Sequence, residues 1–177
     1  MKNLIEKVKQ WGLDRDIVYT GKDGQDKLEM MEAQARYTLK EVNEISDAYA
    51  NDSLEEFIDG IGDTLVTMLV GSASDERISS CFEVMVCNLN DNPHACLEKK
   101  DFKDLYVNLW SSAYSLIHVK PHESEYQLVL HDLDRVLNYV NSQYGPKHTL
   151  KDCLTHAYNE IKDRKGKVVN GQFIKEE

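Results

Sequence analysis

Apolar residues recur at three- and four-residue spacing along most of this chain, and a sustained two-residue alternation is nowhere found. That pattern predicts an all-α protein. A first helix is expected over about 3–13, followed by the polar, glycine-bearing loop Thr20-Gly21-Lys22-Asp23-Gly24. A second spans about 27–50 and ends in Asn51-Asp52. Ser53 with Glu56 three residues on has the form of a capping box, opening a third helix that runs to about Val70 and closes at Gly71-Ser72-Ala73-Ser74. Further helices are expected near 75–89, 100–118, 124–144 and 149–162, before a basic tail. Pro93, Pro121 and Pro146 fall between them. No internal repeat interrupts this series.

The second and third helices carry apolar residues on two sides. On the third, Leu54, Phe57, Ile61, Leu65 and Met68 form the core stripe, while the opposite side reads Asp59, Asp63, Val66, Val70. On the second, Met31, Ala35, Leu39, Val42, Ile45 and Tyr49 make the main stripe, and Met30, Ala33 and Tyr37 lead along another face to Glu41 and Glu44. Each acidic pair therefore interrupts an apolar line. Residues three or four apart lie within roughly 60° around a helix axis, so each pair converges on one point. Two helices joined by a short connection pack antiparallel, which brings the acidic turns face to face. Four like charges there need protonation, basic partners or hard divalent cations, and an all-oxygen donor set favours magnesium or manganese over zinc. The plainer reading is exposed acids on an acidic protein; Glu56 is already explained as a cap.

Composition narrows the rest. With 177 residues the chain is sized for a single domain, 1–177, with a real core. A net charge of −10, with no basic run longer than Arg164-Lys165-Gly166-Lys167, argues against a surface for a nucleic-acid polymer. The amino terminus turns charged after Leu4-Ile5, and no apolar stretch approaches the roughly 20 residues that cross a bilayer. Cys81, Cys87, Cys96 and Cys153 lack C-x-x-C spacing and read as small buried thiols of a reducing, cytoplasmic protein. His118 and His122 are separated by Pro121, which breaks the helix that would align them on a metal, and His94 reads as loop. No histidine has a glutamate three before it, so the Glu-x-x-His pairs of a ferritin-like dimetal oxidase are missing.

Three segments resemble the MazG-like all-α nucleoside triphosphate pyrophosphohydrolases, especially the short phage-type members. Leu4-Ile5-Glu6-Lys7-Val8-Lys9-Gln10-Trp11 with Asp14-Arg15-Asp16-Ile17 resembles that subgroup's opening helix and loop. Gln34 through Glu44-Ile45 is similar to its Glu-x-x-Glu helix, and Ile58-Asp59-Gly60-Ile61-Gly62-Asp63-Thr64-Leu65-Val66 to its second acidic helix. Asp152 through Lys167, with Asn170-Gly171-Gln172-Phe173-Ile174-Lys175, resembles its basic carboxyl-terminal segment. The resemblance covers 1–70 and 149–177 and leaves 71–148 as an unassigned helical segment.

It implies a helical bundle of the MazG and dimeric dUTPase type with extra helices mid-chain. It also implies a Mg2+-dependent (Mn2+ as substitute) hydrolysis of a (deoxy)nucleoside triphosphate to monophosphate and pyrophosphate. Glu41, Glu44, Asp59 and Asp63 are then the metal ligands, with Glu41 or Glu44 doubling as base. Lys162, Arg164 and Lys165 would hold the phosphates, or simply complement a helix carboxyl terminus. Trp11 and Arg15 would meet base or ribose, although a lone Trp in an amphipathic helix is more often core. A homo-oligomer, dimer or tetramer, is expected from helices apolar on two sides.

Two departures stand out. The family often has Glu-Glu where this chain has Lys40-Glu41, and commonly reads Glu-x-x-Asp where this chain has Gly60 three before Asp63. Asp59 is the natural stand-in for the missing glutamate. The alternative function is a catalytically degenerate relative acting as a binding module, kept alive by Gly60.

Overall fold

The computed structural model describes residues 1–21, 24–93, 101–119, 122–145, 147–169 and 172–175. Within them the chain forms α1 (Lys2–Leu13), α2 (Gly24–Ala50), α3 (Leu54–Ala73), α4 (Glu76–Asp91), α5 (Phe102–His118), α6 (Glu123–Tyr144) and α7 (Leu150–Ile161). A short antiparallel hairpin follows, β1 (Gly166–Val169) with β2 (Gln172–Lys175), pairing Gly166 with Lys175 and Val169 with Gln172. The all-α reading holds for the bundle. The basic tail departs from it, because Gly166–Val169 and Gln172–Lys175 pair with each other. The Asn170-Gly171 dipeptide between them is the sequence signal for a tight hairpin. Among the described residues no helix is long and apolar enough to cross a membrane. His94 and Cys96 lie outside the described residues. Cys81, Cys87 and Cys153 are free thiols.

α3 is the central helix, packed against α2, α7, α4, α1 and α6, while α2 is held between α3 and α5. Its two apolar sides explain this position: Phe57, Ile61, Leu65 and Met68 are fully buried on one, and Val66 and Val70 on the other. Val70 lies beneath α1, where an added Cβ on Gly12 would stand 3.1 Å from it. Part of the second apolar face of α3 is therefore covered by α1 within one chain.

Local chemistry sets the boundaries. α2 ends with Asp52 in a left-handed conformation (φ 52°), the Ser53 amide bonding to Ala48 O and the Asp52 amide to Tyr49 O, which is a Schellman stop. The Ser53 hydroxyl accepts from the Glu56 amide, as expected, but the Glu56 carboxylate accepts from the Asn51 side chain at 2.9 Å instead of closing a capping box. The reciprocal box occurs at α7, between Thr149 and Asp152. Gly71-Ser72-Ala73 continues α3 instead of ending it. Gly71 admits Gln34 and Tyr126, whose atoms would lie 3.0 and 3.1 Å from a Cβ there, and the Ser72 hydroxyl bonds back to Leu69 O. His122 caps α6 by accepting from the Ser124 amide, and His118 packs on Tyr114.

Candidate functional site

The antiparallel register of α2 and α3 is visible in its contacts. Gln34 meets Gly71, the Thr38 and Thr67 hydroxyls are 2.9 Å apart, and Ile45 meets Gly60. That register sets the acidic turn of α2 opposite the acidic turn of α3, as helical phase predicts. α7 closes the third side and brings His156, Glu160 and, just past its end, Arg164. Electrostatics shows how tightly the groups are gathered. Burial pushes Glu41 up to about 7, with Glu44 and Asp63 adding to the rise and Lys40 opposing it. Burial likewise pushes Asp63 up to about 6, helped by Asp59, Glu160 and Glu44 and opposed by Arg164. Asp59 is also raised, first by burial and then by Glu160, against the pull of His156.

Lys40 answers part of this charge. Its ammonium lies 2.5 Å from Glu44 and 3.3 Å from Glu41, and both contacts raise its own pKa, the hydrogen bond to Glu44 most. Lys40 thus supplies a counter-ion to Glu41 and Glu44.

Gly60 has a packing reason. An added Cβ there would lie 3.0 Å from Ile45 Cγ1 and 3.4 Å from Ile45 N, inside the contact between α2 and α3. A glutamate at this position would point into the neighbouring helix. Asp59 stands one residue away, on the flank facing α7, with its Oδ1 3.6 Å from His156 Nε2. That oxygen is buried and has no hydrogen-bond partner. Asp59, His156 and Glu160 present ligand atoms that all lie within 4.8 Å of one another, a group able to hold a metal ion.

Glu41 and Asp63 stand in the wall of a cleft of about 180 Å³, together with Trp11, Ile17, Gln34, Tyr37, Val66, Thr67, Val70, Ile161 and Arg164. The cleft combines an apolar and aromatic lining with an acidic pair and one cation. Trp11 is locked by its indole N–H donating to Ile161 O at 2.8 Å. Arg15 stacks over the Trp11 ring at 4.7 Å and donates from Nε and Nη2 to Arg164 O, which ties α1 to the segment after α7. Arg15 therefore braces the cleft from behind.

Of the predicted phosphate-binding cations, the structure brings only Arg164 to this cleft. Lys162 bonds Asn159 and lines a separate depression with Arg15, Lys7 and Asp14, behind Trp11, and Lys165 is exposed outside both. The helix ends at Ile161, so the three cations leave it along a turn and point in different directions. Glu44 lies at the edge, half exposed beside Lys40.

Sequence reasoning missed Gln34, Tyr37 and Thr67 in the cleft, and His156 and Glu160 beside it. The i, i+4 spacing of His156 and Glu160 on one helix was a readable signal for that pair. Comparison of the chain with protein-family models, with curated proteins and with solved structures finds no match.

Proposed function

We propose that this protein is a divalent-metal-dependent nucleoside triphosphate pyrophosphohydrolase, cleaving between the α and β phosphates. The observation that supports it is the meeting of two acidic helical turns at the wall of an aromatic cleft that also holds Arg164. The donor set fits magnesium or manganese. Glu41 and Asp63 are carboxylates held against their own desolvation and mutual repulsion, and a hard divalent cation relieves both. Glu41, Glu44 and Asp63 would hold it, with Asp59 at the flank. A magnesium ion held there would neutralise phosphate charge and lower the pKa of a bound water.

The chain's own side chains supply the rest. Trp11 and Tyr37 offer flat walls to a base, and Gln34 and Thr67 offer the hydrogen-bonding groups that select among bases. Arg164 meets the anionic end of the substrate with a planar donor fork. Glu41 or Glu44 would take the proton of the attacking water. The resemblance to the MazG-like bundles, a nucleotide-pool role, a cytoplasmic location and a homo-oligomeric state belong to the same proposal.

Lys40 favours the second reading, a degenerate relative that binds without turnover, because its ion pairs already compensate part of the acidic charge. Incubation with each nucleoside triphosphate and magnesium, followed by pyrophosphate measurement, separates the two. Release that is lost in Glu41→Gln and Asp63→Asn supports the hydrolase. No release from any nucleotide, with no magnesium binding by calorimetry, leaves the binding module.

A further inference from the structure

α3 and α7 approach so closely that an added Cβ on Gly62 would lie 2.3 Å from the carbonyl oxygen of Cys153. One helical turn away from this contact, Asp59 on α3 comes opposite His156 on α7, and Glu160 follows His156 by four residues on the same face. His156 Nε2 lies 3.6 Å from Asp59 Oδ1 and 3.8 Å from Glu160 Oε1, beyond hydrogen-bonding length to either. Asp59 Oδ1 is shielded from solvent and accepts no hydrogen bond. Donors that share one ion at about 2.0–2.2 Å stand roughly 3–4 Å from each other. The three ligand atoms, all within 4.8 Å, are close to that arrangement. Glu160 is also oriented from behind: Arg164 Nη2 holds its other oxygen, Oε2, at 3.3 Å, leaving Oε1 towards the histidine.

We propose that Asp59, His156 and Glu160 bind a first-row divalent transition-metal ion of the zinc class, at a position distinct from the Glu41, Glu44 and Asp63 carboxylates. The imidazole nitrogen sets the preference, since a nitrogen donor beside two carboxylates suits zinc, cobalt or nickel better than magnesium. The three side chains are each partly exposed, so the ion keeps open positions for water or a ligand. This site requires neither nucleotide nor turnover, although it shares Asp59 with the flank of the magnesium site and Arg164 with its substrate side.

The test uses the full chain, stripped of metal, titrated with zinc alone by calorimetry and by NMR of the histidine rings. One ion per chain is expected, with the His156 ring signals shifted. His156→Ala weakens zinc binding by at least about tenfold. The pair Glu41→Gln/Glu44→Gln leaves it within about threefold, as a separate position requires. No zinc binding up to about 1 mM overturns the proposal. So does undiminished binding in His156→Ala, loss of binding in the Glu41→Gln/Glu44→Gln protein, or His156 signals that stay put at zinc saturation. Were His156→Ala to misfold, the ring signals of the unaltered protein decide alone. Pyrophosphate release with magnesium is a separate readout, so either proposal can fail without the other.

Discussion

Glu41 and Asp63 titrate near neutrality, at about 7 and about 6, because the bundle withholds water from them and sets other carboxylates beside them. The consequence for stability follows from linkage. A carboxyl whose folded pKa exceeds its unfolded value holds more protons in the folded state across that interval, so stability falls as pH rises from about 4 to about 7. Glu41→Gln and Asp63→Asn should therefore raise the thermal midpoint of the metal-free protein at pH 8 and leave it nearly unchanged at pH 4. Each kcal/mol of relieved repulsion is worth roughly 2–4 °C in a chain of this size. Calorimetric scans at the two pH values check this, and a loss of stability at pH 8 would show that these acids form a structural network. At this scale the sequence pointed to Glu41 and Asp63, whose places in apolar helical lines leave them buried or half-buried, but it gave the same expectation for Glu44 and Asp59, which are more than a third exposed. It was silent about Lys40 as a counter-ion and about which lysines past Ile161 reach the cleft, because flexible side chains answer to neighbours distant in sequence.

Two glycines govern how the elements meet. Gly60 brings α2 against α3, and Gly62 brings α3 against α7, where any Cβ would overlap the backbone of Cys153. Gly62→Ala should cost about 1–3 kcal/mol by overpacking, read as a lower denaturation midpoint, and should displace His156 and Glu160 from Asp59. Gly24→Ala is the control, since a Cβ there meets nothing within 4 Å. Equal stability of the two variants would refute the close contact. Helix existence and most boundaries were readable from periodicity and caps, as at Ser53 and Thr149. The strands of the terminal hairpin were not, because each is only four residues long and stabilised by the other, although Asn170-Gly171 marks a turn. The extension of α3 through Ala73 was likewise hidden: a Gly-Ser run reads as a stop unless the packing of Gln34 and Tyr126 on Gly71 is known.

Across the whole molecule, α3 gathers the chemistry by touching α1, α2 and α7 at once. Cation binding at the carboxylates should therefore stabilise the entire bundle. Millimolar magnesium should raise the midpoint at pH 8, where the acids are ionised, and do much less at pH 5, where protons compete for them. A hundredfold excess over the dissociation constant is worth about 2.7 kcal/mol. A shift of equal size in the Glu41→Gln/Asp63→Asn protein would place the cation elsewhere. Periodicity alone determined the helices, the two-sided burial of α3, and the facing of the acidic turn of α2 towards that of α3, because helical phase and a short antiparallel connection are local properties. Only the tertiary structure decided that α1 covers part of the second face of α3, that Gly60 sits tight against Ile45 where α2 crosses, and that α7 adds His156, Glu160 and Arg164. The α1 and α7 contacts join residues far apart in the chain, and local periodicity carries no record of them.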